Sequence, residues 1–93
     1  MKLTGKCKDS FLKHIWQKHG FDSWDELLEN EIILNALIIE FFDLVGIYVN
    51  AIKYTTKWVG IAENGLWISF DNRTDAINDA IHEANEIYND LND

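Results

Sequence analysis

The sequence predicts an α+β domain in which two N-terminal helices precede a three-stranded antiparallel meander and a C-terminal helix follows it. Three observations predict this order. Apolar residues recur at helical spacing as far as residue 45, they alternate with a period of two after Gly46, and the helical period returns after Asn72. A chain of 93 residues has material for one hydrophobic core. We therefore expect residues 1–93 to form a single small domain.

The first helix is predicted from Thr4 to His19. Thr4 suits the N-cap, and Gly20 suits the left-handed residue that commonly follows the last helical turn. The apolar residues that recur at four-residue spacing are Leu3, Cys7, Phe11 and Ile15. This spacing predicts one apolar stripe that faces the core.

A second helix is predicted to run from Trp24 to about Val45, because Ser23 and Glu26 have the spacing of a capping box. A fresh helix start near Asn30 fits the sequence as well. Within 31–46 the polar residues are few, and Asn35, Glu40 and Asp43 fall on one narrow stripe at about 100° per residue. A helix that is apolar around almost all of its circumference is predicted to be enclosed on most sides. We therefore expect 31–45 to be the central core helix.

The meander is predicted from strands at 47–54, 57–63 and 66–70. Asn64-Gly65 suits a two-residue type I′ turn, which places Val59 opposite Phe70. The residues of the second and third strands that then share the predicted core face are Val59, Ile61, Leu66, Ile68 and Phe70.

The opposite face of the predicted sheet carries four large aromatic side chains, those of Tyr48, Tyr54, Trp58 and Trp67. Four such side chains in water would make an unusually large exposed apolar patch. Either the first helix covers them, or a second molecule does. The second alternative predicts a homodimer or another protein interface, since aromatic residues are enriched at interface hot spots.

The last helix is predicted from Arg73 to Leu91, with Asn72 as its cap. The acidic residues along its polar side are Asp75, Asp79, Glu86 and Asp90. Residues four positions apart on a helix lie about 6 Å apart, which is similar to the phosphate spacing of a single nucleic-acid strand. This acidic face could therefore be an ordinary solvated surface or a nucleic-acid mimic that binds a DNA-binding protein.

The charge of the chain is divided unevenly. The net charge is −8, with +4 in residues 1–20 and −12 in residues 21–93. Either the basic segment docks on the acidic body, which is the interpretation we expect, or the acidic body serves to repel nucleic acid and to favour basic partners. A single cysteine excludes an internal disulfide framework and is typical of a reducing compartment. With neither a signal peptide nor an uninterrupted apolar span in the sequence, we expect a cytoplasmic protein without a membrane segment.

No motif in the sequence reaches the strength of a catalytic or ligand-binding signature. Cys7 and His14 lie seven positions apart, which is about 10 Å along a helix and too far for a nucleophile–base pair. Zinc sites need closer ligands than Cys7, His14 and His19 would provide on one helix. We therefore expect no catalytic residue, no metal and no cofactor, with Cys7 in the core and His14 on the surface.

Glu40 and Asp43 are the one pair of carboxylates within an apolar segment. Such a pair could have separated pKa values and act as an acid and a base. The simpler interpretation is that both mark the solvent-facing strip of the helix or pair with Lys53 or Lys57.

Three stretches of the sequence resemble a known group of proteins. They are Leu3-Thr4-Gly5-Lys6 followed by Phe11, residues 41–49, and residues 73–76 running into 84–89. Together they resemble the short uncharacterised proteins of prophage and phage regions in Bacteroidetes-type bacteria, although 50–70 is not covered. The resemblance implies a phage-derived setting, an intracellular location and an accessory role, and it implies no catalytic residues. We therefore expect a non-enzymatic protein-interaction module, with an acidic nucleic-acid mimic as the alternative.

Overall fold

A computed structural model describes residues 2–20, 30–63 and 68–92 and confirms the predicted α+β class. The described helices and strands follow the order that the sequence predicts, and the sheet is antiparallel with the strand order β1-β2-β3. In chain order they are α1 (Gly5–His19), α2 (Glu31–Val45), β1 (Val49–Tyr54), β2 (Lys57–Ala62), β3 (Ser69–Phe70) and α3 (Arg73–Asn92). Within those ranges, no helix combines the length and the apolar character that crossing a membrane requires.

The C-terminal helix, not the second helix, lies at the centre of the molecule. α3 contacts α1, α2 and each strand of the sheet, whereas α2 contacts α1, α3 and β1. The prediction that 31–45 is enclosed on most sides is wrong. One side of α2 is buried through Ile38, Phe41 and Phe42, but the side chain of Ile32 is 81% exposed and that of Leu44 is 62% exposed.

The start of α2 follows the alternative in which a new helix begins near Asn30. The side chain of Asn30 accepts a hydrogen bond from the Ile33 amide at 3.2 Å, as an N-cap does.

Asn35 was predicted on the solvent-facing strip, but it is buried, and its side-chain amide donates to the Asn78 side chain at 3.2 Å. Lys2 also donates to Asn35 and Asn78, so the basic N-terminal segment does dock on the body. Ser23 and Glu26, and their predicted capping box, lie outside the described residues.

The sheet packs on α3 through small residues. Ala51, Gly60 and Ala62 are buried on the sheet side, and Ala76 and Ala80 are buried on the helix side. A Cβ atom placed on Gly60 would lie 2.0 Å from the carbonyl oxygen of Ala76. The helix backbone therefore lies directly against the β2 backbone, in a space that only glycine leaves open.

The predicted core face of the sheet is correct in part: Val59 is buried and Phe70 packs against the core, but the two residues do not share a face, and the register explains why. Phe70 pairs with Trp58, and Ser69 pairs with Val59, one residue away from the pairing that a two-residue turn at 64–65 would give. Because side chains alternate along a strand, a shift of one residue moves the whole of β3 to the other face. Trp58 and Phe70 therefore share the face of Gly60, towards α3, while Val59 and Ile61 lie on the opposite face. The predicted turn itself lies outside the described residues.

The start of α1 is capped by side chains from α3. Thr4 occupies the N-cap position as predicted, but its side chain makes no capping hydrogen bond. The side-chain oxygen of Asn89 instead accepts from the Cys7 amide at 2.8 Å, and that of Asn85 accepts from the Thr4 amide at 2.9 Å. Gly5 lets Asn89 approach, since a Cβ atom there would lie 3.2 Å from the Asn89 oxygen. These bonds fasten α1 to the last helix.

Candidate functional site

The structure separates Trp58 from the two described tyrosines that were predicted to form one patch with it. Tyr48 and Tyr54 share a face and are 51% and 65% exposed. Trp58 lies on the other face, half-buried, with the Arg73 guanidinium 5.7 Å from its ring centroid. Trp67 lies outside the described residues. The prediction that all four share one open face is therefore wrong for Trp58. It pairs with Lys53, so its side chain lies on the face opposite that of Tyr54, towards α3.

The two exposed tyrosines are not covered by the first helix. Among the described elements, α1 contacts α2 and α3 and makes no contact with a strand. The alternative in which α1 folds over the aromatic face is therefore wrong. Tyr48 and Tyr54 remain a predicted interface, smaller than the sequence indicated.

The predicted acidic face lies along α3. Asp75, Glu86 and Asp90 are exposed, and Asp79 is half-buried. His82 interrupts the series, because its Nε2 atom lies 3.1 Å from Glu86 Oε1. The acidic-mimic role stays a prediction, and the structure places an imidazole within the stripe that should carry it.

The predicted pair of Glu40 and Asp43 does not form a unit. Asp43 is exposed, whereas the Glu40 carboxylate turns towards the end of α1. Lys18 donates to Glu40 Oε1 at 2.8 Å, and the Nε2 atoms of His19 and His14 lie 2.9 Å and 3.4 Å from Glu40 Oε2. The predicted partner Lys57 pairs with Asp71 instead. The carboxylate thus joins α2 to α1, and we call His14, Lys18, His19 and Glu40 the Glu40 cluster.

The positions of the two histidines follow from the way α1 ends and packs. Gly20 ends the helix in the predicted left-handed conformation, with φ of 73°. His14 was predicted on the surface, but its side chain is only 15% exposed, and its ring centroid lies 5.9 Å from that of Phe41.

Cys7 is fully buried, as predicted, and burial raises the pKa of its thiol to about 12. A thiol that stays protonated is a poor nucleophile, so the chemistry of this region belongs to the imidazoles and the carboxylate.

The Glu40 cluster is electrostatically favourable for an ionised carboxylate. The hydrogen bond from Lys18, followed by those from His19 and His14, lowers the pKa of Glu40 from 4.5 to about 2. The negative charge of Glu40 therefore persists well below neutral pH in the folded protein.

This lowered pKa predicts a specific acid dependence of stability. The contribution of Glu40 is fully present above about pH 4.5, where the carboxylate is ionised in both states, and it is lost as the pH falls towards about 2. We expect Glu40→Gln to lower the melting temperature at neutral pH and to reduce its decline over that acidic range. Circular dichroism melts across the range measure both effects. Asp43→Asn removes one charge from the same helix and is the control; an equal change in both variants would contradict the prediction.

A concave surface lies between α2 and α3. This groove of about 350 Å³ is lined by apolar side chains from both helices, with Asn35, Arg73 and Thr74 at its polar edges. The apolar residues that line it are Ile32, Ala36, Ile39 and Ile77. Sequence analysis missed it because α2 was predicted to be enclosed, and an apolar helix gives no local signal of which side is left open.

Comparisons of the chain with protein-family models, with curated proteins and with solved structures find no match.

Proposed function

We propose that this protein is a cytoplasmic, non-enzymatic interaction module of phage origin that self-associates through the groove between α2 and α3. The observation that carries the proposal is the open apolar side of α2, on which Ile32 is 81% exposed at the mouth of the groove. Exposed apolar surface on a small protein is typical of a binding surface, because its transfer from water into a contact is favourable.

The spacing within the groove supports a helical partner. Ile32, Ala36 and Ile39 recur at four- and three-residue intervals along α2, which is the pattern through which helices pack against one another. Ala36 lies between the two isoleucines, and a small residue at that position lets two helix backbones approach closely. A second copy of this chain carries the same stripe, so two copies of α2 could pack against each other around a twofold axis.

The experiment is a measurement of molecular mass in solution at low and high salt, by sedimentation or light scattering. We expect a dimer that persists at high salt, because salt screens the repulsion between two copies of net charge −8 and leaves apolar contacts intact. Ile32→Glu should dissociate it, because the substitution removes an apolar side chain and places a carboxylate within an apolar contact.

Tyr54→Glu is the matched control, since it adds the same charge to the exposed tyrosine face of the sheet. Dissociation by Tyr54→Glu but not by Ile32→Glu would move the interface to the originally predicted aromatic face. A wild-type chain that stays monomeric at high concentration would contradict self-association. A dimer that dissociates in salt would instead favour a contact between charged surfaces, such as the acidic face of α3 and the basic α1.

A further inference from the structure

Three potential metal ligands from two helices meet in the Glu40 cluster. The ligand atoms of His14, His19 and Glu40 all lie within 4.8 Å of one another. We propose that these three residues bind a divalent transition-metal ion of the Zn²⁺ class.

The distances suit such an ion. Zinc bonds of about 2.0 to 2.1 Å in a tetrahedral arrangement separate neighbouring ligand atoms by about 3.3 Å. Glu40 Oε2 lies 3.4 Å from His14 Nε2 and 2.9 Å from His19 Nε2. Two of the three edges are therefore close to the required length, and the third, between the two imidazoles, is no longer than 4.8 Å.

The ligand set selects the kind of ion. Two imidazole nitrogens and one carboxylate oxygen suit Zn²⁺, Co²⁺ or Ni²⁺, whereas Ca²⁺ and Mg²⁺ prefer oxygen ligands throughout. Three protein ligands leave at least one coordination position for water or for a group from another molecule. The ion would join the end of α1 to the middle of α2, so binding would also stabilise the folded state.

Lys18 has two opposite effects on the proposed metal site, because it orients the Glu40 carboxylate and also places a positive charge beside the ion. Its ammonium group donates to Glu40 Oε1 and leaves Oε2 directed at the two imidazoles. It thereby favours coordination through one carboxylate oxygen, but its positive charge also repels a cation at close range. Removing this charge should therefore strengthen metal binding, although it removes an ion pair from the protein.

The test is calorimetric titration of the metal-free protein with Zn²⁺ at about pH 7, where most unperturbed imidazoles are neutral and can act as ligands. We expect one ion per chain in the wild type. His14→Ala, His19→Ala and Glu40→Gln should each weaken binding by at least about tenfold, because each removes one ligand from an open site. Lys18→Gln should strengthen it severalfold.

His82→Ala is the matched control, because His82 is the remaining histidine of the chain and lies on α3 beside Glu86. It should bind Zn²⁺ with the affinity of the wild type. Circular dichroism of each variant shows whether it is folded. If a ligand variant does not fold, nuclear magnetic resonance of the wild type replaces it, and the ring signals of His14 and His19 should shift with Zn²⁺ while those of His82 stay.

Three results would overturn the proposal. The first is an absence of heat and of signal shifts at millimolar Zn²⁺. The second is wild-type affinity in a folded protein that lacks both His14 and His19. The third is loss of binding in His82→Ala, which would place the ion on α3.

Discussion

Gly60→Ala is expected to cost more stability than any exposed substitution in the chain. The added Cβ atom would lie 2.0 Å from the carbonyl oxygen and 2.9 Å from the carbonyl carbon of Ala76, and both are backbone atoms that a rotamer change cannot move. The whole of α3 would have to move away from the sheet. Overpacking of a core typically costs about 1 to 3 kcal/mol and occasionally more, and we expect this site at or above the upper end.

Urea denaturation of the variant beside the wild type measures this effect. Gly46→Ala is the matched control, because Gly46 has φ of 79° with no atom within 4 Å of an added Cβ. This substitution should lower the free energy of unfolding by only about 1 to 2 kcal/mol, because alanine is less stable than glycine in the left-handed conformation. Equal losses in the two variants would show that the close contact between β2 and α3 does not exist.

Phe42→Ala is expected to be the second large effect, at about 3 to 5 kcal/mol. The Phe42 side chain is fully buried, and its ring centroid lies 5.5 Å from that of Phe41. The truncation removes the apolar contacts of the ring and leaves a cavity in the hydrophobic core. A small domain with a total stability of about 5 to 15 kcal/mol would lose a large part of it, or unfold. Thermal melts with chemical denaturation give the change.

Leu44→Ala is the control for Phe42→Ala, because Leu44 lies two positions further along the same helix. Its side chain is 62% exposed, so we expect a loss of no more than about 0.5 kcal/mol. An enclosed α2 would instead make both substitutions costly. The pair therefore measures directly whether α2 is buried on one side or on all sides.

Local signals explain why the helix ends could be predicted from the sequence. Gly20 ends α1 in the left-handed conformation, and Asn72 accepts a hydrogen bond from the Asp75 amide at 2.9 Å at the start of α3. Such caps depend on residues within one turn of the helix end. The α+β order followed in the same way from the change of hydrophobic period at Gly46 and Asn72.

The features that could not be predicted depend on tertiary packing. Hydrophobicity indicated that α2 should be enclosed, but α3 took the central position because its alanines permit contact with Gly60. The face of β3 depended on a register difference of one residue. A period-two pattern that is apolar on both sides of the strand does not fix that register.

The Glu40 cluster is the clearest example at the level of the site. His14 and Glu40 are 26 positions apart, and the five-residue interval from His14 to His19 is not a spacing that places two side chains on one helix face. Their approach depends on the crossing of α1 and α2 and on the chain direction at Gly20. The carboxylate was singled out from the sequence, but its partners could not be.

The asparagine caps on α1 have a consequence for the order of events during synthesis on the ribosome. Thr4 and Cys7 obtain their hydrogen-bond partners from residues more than 80 positions later in the chain. α1 therefore cannot obtain these caps until α3 has been translated. Contacts of such long sequence separation slow folding, and α1 depends on α3 for its anchoring.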